Sequence, residues 1–279
     1  MTTRDSYGER LRTAIEKHGR LCVGIDPHPG ILQQWGLPLD AAGLERCART
    51  MIEAVAGRVA VVKPQSAFFE AYGSAGVAVL ELVIAEARQA GLLVLLDAKR
   101  GDIDSTMDAY TAAYLSDGSP LAADAVTLSP YLGAGSLDGA VAMAQQTGRG
   151  VYLLAATSNP EGPSVQQART AGGTTISQSM INTAAAHNAE AFASEQWGSV
   201  GLVIGANLDP SIKLELDRFG GSILAPGFGA QGGTPEHLRA IFGDAYERAI
   251  PSSSRGILRA GPEVASIRTA VDEAQQSLA

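Results

Sequence analysis

The chain has 279 residues, of which 46% are hydrophobic, 18% charged and 5% aromatic, a composition and length that suit one α/β barrel of about 250 residues. Its formal net charge is −8 and its basic residues are dispersed, which argues against a nucleic-acid surface or an anionic membrane surface. No apolar run approaches the ~20 residues of a spanning helix, and the polar start at residues 1–5 does not resemble a signal peptide, so we expect a cytoplasmic protein without a membrane partner.

Apolar strand-like runs alternate with amphipathic helical segments along the whole chain. The predicted strands are residues 21–26, 59–64, 92–99, 123–129, 151–158, 200–206, 221–226 and 256–261. The predicted helices are residues 6–18, 41–56, 74–90, 105–115, 135–146, 176–197, 209–219, 235–248 and 264–274.

Eight strand-then-helix units indicate a single (β/α)8 TIM barrel, which we expect to be one domain over residues 1–279. The fifth unit is extended by a loop-plus-helix insert around residues 159–198, and the part at 159–175 is rich in Gly, Pro, Ser and Thr. Such a segment is either a lid or a tolerated decoration. An open doubly wound sheet is the rival fold, but no Gly-x-Gly-x-x-Gly follows the first strand.

The third predicted strand runs from five apolar residues directly into Asp97 and Lys99. If the strand persists to Lys99, its period of two puts both side chains on the same face. A carboxylate and an ammonium held together there are costly unless they are paired or used. Taken alone, the pair fits an ion pair that closes a strand as well as it fits a catalytic site.

Other charges lie at the ends of neighbouring predicted strands. Asp26 ends the first, Lys63 the second and Arg259 the eighth. In a barrel of this kind the carboxyl ends of the strands meet at the active site, so Asp26, Lys63, Asp97 and Lys99 can satisfy one another in a chain. The sequence therefore predicts one charged site on adjacent strands.

A glycine-rich loop, Pro226-Gly227-Phe228-Gly229-Ala230-Gln231-Gly232-Gly233, follows the seventh predicted strand. Glycines let backbone N–H groups approach an anion, and the loops after strands seven and eight commonly hold phosphate in this fold. A flexible turn would explain the glycines equally well, but the predicted neighbour Arg259 favours a phosphate site.

Residues 97–103, Asp-Ala-Lys-Arg-Gly-Asp-Ile, with Thr106 just after them, resemble the D-x-K-x-x-D-I signature of the orotidine 5′-phosphate decarboxylase family. The resemblance covers nearly the whole chain and is closest to the larger bacterial branch. D-x-K-x-x-D is also found in sugar-phosphate decarboxylases and hexulose-phosphate synthases, but Lys63 and the Gly-Ala-Gln-Gly-Gly loop narrow the match. One departure is that Arg259 is followed by Ala-Gly, whereas some members carry a Gly-Arg pair.

The resemblance implies cofactor-free decarboxylation of orotidine 5′-monophosphate to uridine 5′-monophosphate in pyrimidine synthesis, with no metal. Lys99 would protonate carbon 6 of the pyrimidine, and the other implied catalytic residues are Asp97, Lys63 and Asp102. The implied contacts to the nucleotide substrate are Asp26, Ile103, Thr106, Ser158, Pro226, Gly227, Gln231 and Arg259. Asp102, Ile103 and Thr106 would reach a neighbouring subunit's site, which implies a homodimer with shared active sites.

Two other functions stay open from the sequence. A Mg²⁺-dependent sugar-phosphate decarboxylase or aldolase of the same barrel suite would use the motif carboxylates as metal ligands, although an acidic residue would suit that role better than Lys63. A non-catalytic phosphate-binding barrel gives no reason for the paired charges. Full activity in a chelator would separate the first rival from the orotidine reading.

Overall fold

The computed structural model describes residues 4–209, 211–230 and 232–278. In these residues eight parallel strands close into a barrel in chain order, which confirms the predicted fold class. The strands are β1 (Cys22–Ile25), β2 (Val61–Pro64), β3 (Leu93–Arg100), β4 (Ala125–Leu128), β5 (Gly150–Ala156), β6 (Val200–Ile204), β7 (Ile223–Pro226) and β8 (Ala249–Ser253). Because β1 pairs with both β2 and β8, the sheet has no open edge.

Helices surround this barrel. They are α1 (Tyr7–His18), α2 (Pro29–Gln34), α3 (Ala41–Val55), α4 (Ser66–Glu70), α5 (Gly73–Gln89), α6 (Asp104–Leu115), α7 (Asp138–Gln146), α8 (Pro163–Gln166), α9 (Ile176–His187), α10 (Ala189–Ala193), α11 (Pro235–Phe242), α12 (Arg255–Leu258) and α13 (Val264–Gln276). Across the described ranges, no helix combines the length and the apolar character needed to cross a bilayer.

Helix α3 illustrates how the sequence forms the outer layer. The Asp40 side chain accepts hydrogen bonds from two backbone N–H groups of the first turn, each at 3.0 Å, a cap worth about 1 kcal/mol. Leu44, Met51 and Val55 follow at helical spacing and are fully buried. This apolar face lies in the same core cluster as the outward-facing side chains of the barrel.

The predicted eighth strand at 256–261 is wrong, because β8 is Ala249–Ser253. The true strand holds Pro251 and two serines in place of an apolar run, and proline is disfavoured in a paired strand. The apolar pair Ile257 and Leu258 is buried instead by the short helix α12. Arg259 therefore follows a helix, four residues after Arg255.

Two predicted helices also differ from the structure. Residues 209 and 211–219 are irregular. Leu216 and Phe219 are buried in this irregular segment, and their spacing in the sequence resembles that of a helix. The predicted helix at 176–197 is divided into α9 and α10 around Asn188, whose buried amide donates to the carbonyls of Val200 and Phe219. That amide ties the insert to β6.

The insert after β5 is folded back onto the end of that strand. The Gln166 side chain of α8 accepts a hydrogen bond from the Thr157 backbone N–H at 2.8 Å and donates to the Thr157 hydroxyl at 2.7 Å. Farther along, Arg169 and Thr175 form an antiparallel bridge. Because Thr157 borders the central pocket, the insert is directly connected to the pocket rim.

Candidate active site

A cavity of about 260 Å³ opens at the carboxyl ends of the barrel strands. The predicted site residues among its lining are Asp26, Lys63, Asp97, Lys99, Ser158, Pro226 and Gly227. They come from β1, β2, β3, β5 and β7 or the loops that follow. The barrel thus brings together residues that are up to about two hundred positions apart in the chain.

Asp97 and Lys99 meet through an irregularity in β3. Leu96 pairs with Val126 and Arg100 pairs with Leu128, so three residues of β3 face the single residue Thr127 of β4. Lys99 adopts the left-handed conformation with φ of 48°, which costs about 1–2 kcal/mol for a residue with a side chain. In this bulge the Lys99 Nζ lies 2.5 Å from Asp97 Oδ1.

The Asp97 carboxylate is buried and surrounded by donors. Oδ1 accepts from the Lys99 ammonium and from the Thr127 hydroxyl at 2.9 Å. Oδ2 accepts from Lys63 Nζ at 3.2 Å and from Gln65 Nε2 at 3.1 Å. Burial alone would raise the pKa of Asp97, but Lys63 and Lys99 together with these hydrogen bonds lower it to about 2.

Lys63 bridges the two carboxylates of the pocket. Its Nζ lies 3.2 Å from Asp97 Oδ2 and 3.8 Å from Asp26 Oδ1. Burial disfavours the ammonium, but Asp26 and Asp97 raise the pKa of Lys63 above its ordinary value, so it stays charged at neutral pH.

The two lysines differ in access. The Lys63 side chain is 6% exposed and the Lys99 side chain is 43% exposed. Lys99 is therefore the more accessible ammonium for a ligand in the cavity. Lys63 is buried and holds the carboxylates of Asp26 and Asp97.

The loop after β7 is bent by glycines. Gly227, Gly229 and Gly232 have φ of 99°, 73° and 94°, in the region that residues with a side chain rarely adopt. Gly229 N–H donates to the carbonyl of Gly233, and Gly233 N–H donates to the carbonyl of Gly227, so the loop closes on itself beside the pocket. Gln231 lies outside the described residues.

The arginine at the pocket is Arg255. It is exposed, begins α12 and lines the cavity. A Cβ placed on the next residue, Gly256, would lie 3.9 Å from the Cβ of Ala230, so this end of α12 is beside the glycine-rich loop.

Arg259 is not among the described residues that line the cavity. Its carbonyl accepts a hydrogen bond from Gln34 of α2 at 2.9 Å, and Trp35, which directly follows α2, donates to the neighbouring Leu258 carbonyl at 2.9 Å. These two hydrogen bonds anchor this end of α12 to the end of α2. Since β8 ends at Ser253, Arg259 does not lie at the end of a strand.

Ser158 borders the cavity across from the charged residues, just beyond the end of β5. A Cβ on Gly205 would lie 3.1 Å from the Ser158 Cβ and 3.3 Å from its hydroxyl. Gly205 therefore permits the close approach of the loops after β5 and β6.

Asp102, Ile103 and Thr106 are not among the described residues that line the cavity of their own chain. The Asp102 carboxylate accepts a hydrogen bond from the Ile103 N–H at 2.9 Å. Ile103 is 50% exposed although it is apolar. Asp102 and Ile103 lie in the loop that joins β3 to α6, and Thr106 lies in the first turn of α6.

Sequence reasoning missed several lining residues: Gln65, Thr157, Ser252, Ser254 and Arg255. Gln65 directly follows Lys63-Pro64, and the run Ser252-Ser253-Ser254-Arg255 is a cluster of polar residues between two apolar pairs. Asp26 Oδ1 and the Ser254 hydroxyl are buried without a hydrogen-bond partner in the described part of the chain. These two atoms thus have unused hydrogen-bonding capacity, although Asp26 Oδ1 also lies 3.8 Å from the Lys63 ammonium.

The model of the orotidine 5′-phosphate decarboxylase / HUMPS family matches residues 19–270. Two proteins named orotidine 5′-phosphate decarboxylase, from Salinispora arenicola and Streptomyces coelicolor, are 55% and 53% identical to the chain over 268 residues, covering 96% of this chain and 95% of each relative.

Solved structures give the same result. A Streptomyces avermitilis protein assigned as an orotidine 5′-phosphate decarboxylase superposes with a TM-score of 0.95 at 51% identity, covering 99% of this chain and 96% of that one. An OMP decarboxylase from Leishmania donovani gives a TM-score of 0.74 at 31% identity, covering 98% and 97%. The chain belongs to the orotidine 5′-phosphate decarboxylase / HUMPS family.

Proposed function

We propose that the chain is a carboxy-lyase that converts orotidine 5′-monophosphate to uridine 5′-monophosphate in pyrimidine synthesis, with Lys99 as the proton donor and no cofactor. Family membership and the names of its relatives support this activity. The observation that carries the assignment of roles is the chain of alternating charges from Asp26 through Lys63 and Asp97 to Lys99, whose accessible end is an ammonium.

In this reaction the bond between carbon 6 and the carboxylate breaks, carbon dioxide leaves, and the electron pair stays on carbon 6. Lys99 then gives a proton to that carbon and regains one from water. Asp97 beside the leaving carboxylate would contribute repulsion of only ~4 kcal/mol at ~4 Å and an effective dielectric constant of 20. The barrier must fall by about 20 kcal/mol, so most of the effect must come from an ammonium fixed before the charge develops.

The phosphate end of the nucleotide fits the opposite wall of the cavity. Arg255 supplies a guanidinium beside the glycine-rich loop, whose glycines lack side chains that would keep an anion away from the backbone. We assign Pro226, Gly227 and Arg255 to the phosphate, Ser158 to the pyrimidine and Asp26 to the ribose hydroxyls. Binding energy from the remote phosphate would hold the surrounding loops in the arrangement that aligns Lys99.

The magnesium-dependent alternative is disfavoured by the donors themselves. Asp26 and Asp97 are bridged by the Lys63 ammonium, which neutralises the carboxylates that a divalent cation would need. The relatives from Salinispora arenicola and Streptomyces coelicolor are named as decarboxylases of orotidine 5′-phosphate.

We also infer a homodimer in which each subunit completes the partner's site with Asp102, Ile103 and Thr106. Support comes from an apolar surface at the carboxyl ends of β3 and β4, where Ile103, Tyr131 and Leu132 are 50%, 79% and 53% exposed. The loops that carry them are joined by the Ser129 N–H, which donates to the Arg100 carbonyl at 2.7 Å. Exposed apolar residues clustered on adjacent loops are typical of a subunit interface.

One barrel domain over residues 1–279 and a cytoplasmic location remain predictions.

The proposed activity is tested by incubating the protein with orotidine 5′-monophosphate and measuring carbon dioxide release together with formation of uridine 5′-monophosphate. We expect stoichiometric release of both products, with full activity in EDTA. Loss of activity in EDTA that is restored by Mg²⁺ would favour the sugar-phosphate alternative. Nucleotide binding without release of carbon dioxide would favour a non-catalytic barrel.

A further inference from the structure

The bulge that joins Asp97 to Lys99 depends on a group that the proposed mechanism has not used. Thr127 lies on β4, is completely buried, and is the one residue opposite the three residues 97–99 of β3. Bulges leave backbone N–H groups without their usual partner in the neighbouring strand. Here a side chain takes the place of that partner.

The Thr127 hydroxyl makes three hydrogen bonds. It accepts from the Ala98 N–H at 3.1 Å and from the Lys99 N–H at 2.9 Å, and it donates to Asp97 Oδ1 at 2.9 Å. A threonine hydroxyl has one proton and two lone pairs. Because both lone pairs are engaged by backbone N–H groups, its proton is directed to the carboxylate.

This arrangement links the backbone of Lys99 to the carboxylate that holds its side chain. The hydrogen bond from the Lys99 backbone N–H to the Thr127 hydroxyl stabilises the left-handed conformation of Lys99. The hydrogen bond from the Thr127 hydroxyl to Asp97 orients the carboxylate oxygen that accepts from the Lys99 ammonium. The backbone and the side-chain ammonium of Lys99 are therefore both positioned by one buried atom on the neighbouring strand, the hydroxyl oxygen of Thr127. An apolar side chain of the same shape at residue 127 would leave the two N–H groups unpaired and remove one of the two donors to Asp97 Oδ1.

We propose that Thr127 is a positioning residue that sets the Lys99 ammonium in place through its hydroxyl. The inference rests on the proposed function, since it assumes that Lys99 acts on the substrate. Thr127 itself is buried and is not among the described residues that line the cavity, so it acts through Asp97 and Lys99.

The test compares kcat for orotidine 5′-monophosphate with affinity for uridine 5′-monophosphate in T127V and T127S. Valine keeps the branched shape and removes the hydroxyl, whereas serine keeps the hydroxyl. A displacement near 1 Å at a reacting group costs up to about a hundredfold, so we expect kcat of T127V to fall about 10- to 100-fold. Affinity for uridine 5′-monophosphate should change less than about twofold, and T127S should stay within about threefold of the unmodified protein.

Thr111 provides the matched control. It is a buried threonine of α6 whose hydroxyl has no hydrogen-bond partner in the described part of the chain. T111V makes the same chemical change away from the cavity and should leave kcat unchanged. If T127V does not fold, the pair T127S and T127A, which differ by the hydroxyl, measures the same contribution.

Equal kcat in T127V and the unmodified protein would overturn the inference, as would a serine variant that loses as much as the valine variant. A parallel loss of kcat and nucleotide affinity would also overturn it, because that result indicates a general disturbance of the cavity. If the unmodified protein itself does not decarboxylate orotidine 5′-monophosphate, the proposed function fails before the role of Thr127 is at issue.

Discussion

Replacing Arg255 by alanine tests which arginine binds the substrate phosphate. The guanidinium of Arg255 lies at the mouth of the cavity beside the glycine-rich loop, and Arg259 lies beyond the far end of the same short helix. Hydrogen bonds to a charged group contribute about 1.5–3 kcal/mol. At about 1.4 kcal/mol per tenfold, R255A should raise the KM for orotidine 5′-monophosphate roughly 10- to 150-fold.

R259A is the matched control, because it removes the same side chain four residues away. Its carbonyl contact with Gln34 uses the backbone and survives the substitution. Initial rates followed by the change in pyrimidine absorbance, over a wide range of substrate concentration, give KM and kcat for both variants. A KM that rises in R259A and not in R255A would refute the placement of the phosphate.

Three further predictions follow from the charged residues. Lys63→Met leaves the buried Asp26 and Asp97 without their shared ammonium, and should lower the free energy of unfolding by about 3–5 kcal/mol in urea titrations; an unchanged midpoint would mean that the bridge is not formed. The pKa of Asp97 is lowered to about 2 from its ordinary 3.8, so its ionisation stabilises the folded state by about 2 kcal/mol above pH 4, and this contribution is lost as the pH falls through 2. The pH dependence of kcat should therefore show no titration of Asp97 between pH 5 and 7. A fall of kcat toward acid pH in that range that Asp97→Asn removes would contradict the low pKa. Mixed chains of K99A and D102A, each inactive alone, should regain about a quarter of the unmodified activity through heterodimers with one intact site, and no recovery despite demonstrated subunit exchange would exclude the shared site.

Much of the fold follows from patterns that burial imposes on the sequence. Parallel strands that are buried on both faces must be apolar, and seven of the eight predicted strands overlap observed ones for that reason. The eighth was misplaced because β8 contains Pro251, Ser252 and Ser253, of which Ser252 lines the cavity, and these residues make it look like a loop. A strand that contributes polar residues to the site lacks the continuous apolar run by which buried parallel strands are predicted from sequence.

The candidate site was predictable where the backbone is regular. Asp26 and Lys63 lie at the ends of β1 and β2, and Asp97 directly follows the regular part of β3, so the topology brings the three together. Arg259 was expected beside the cavity because the eighth strand was predicted at residues 256–261, which do not form a strand.

The position of Lys99 could not be predicted from its spacing to Asp97. The sequence indicated a regular strand with both side chains on one face, but the contact forms in a bulge with Lys99 in the left-handed conformation. The residue that stabilises the bulge, Thr127, lies 28 positions from Lys99 on another strand. A threonine within an apolar strand gives no local indication of such a contact.

The central claim, that Lys99 delivers the proton, is tested most directly by measuring carbon dioxide release by K99A at saturating orotidine 5′-monophosphate. Lys17, in the last turn of α1 and away from the cavity, supplies the control K17A. We expect K99A to lose at least about a thousandfold in kcat while it keeps its unfolding midpoint and binds uridine 5′-monophosphate, and K17A to be unaffected. A folded K99A that releases carbon dioxide at a near-normal rate would contradict the account.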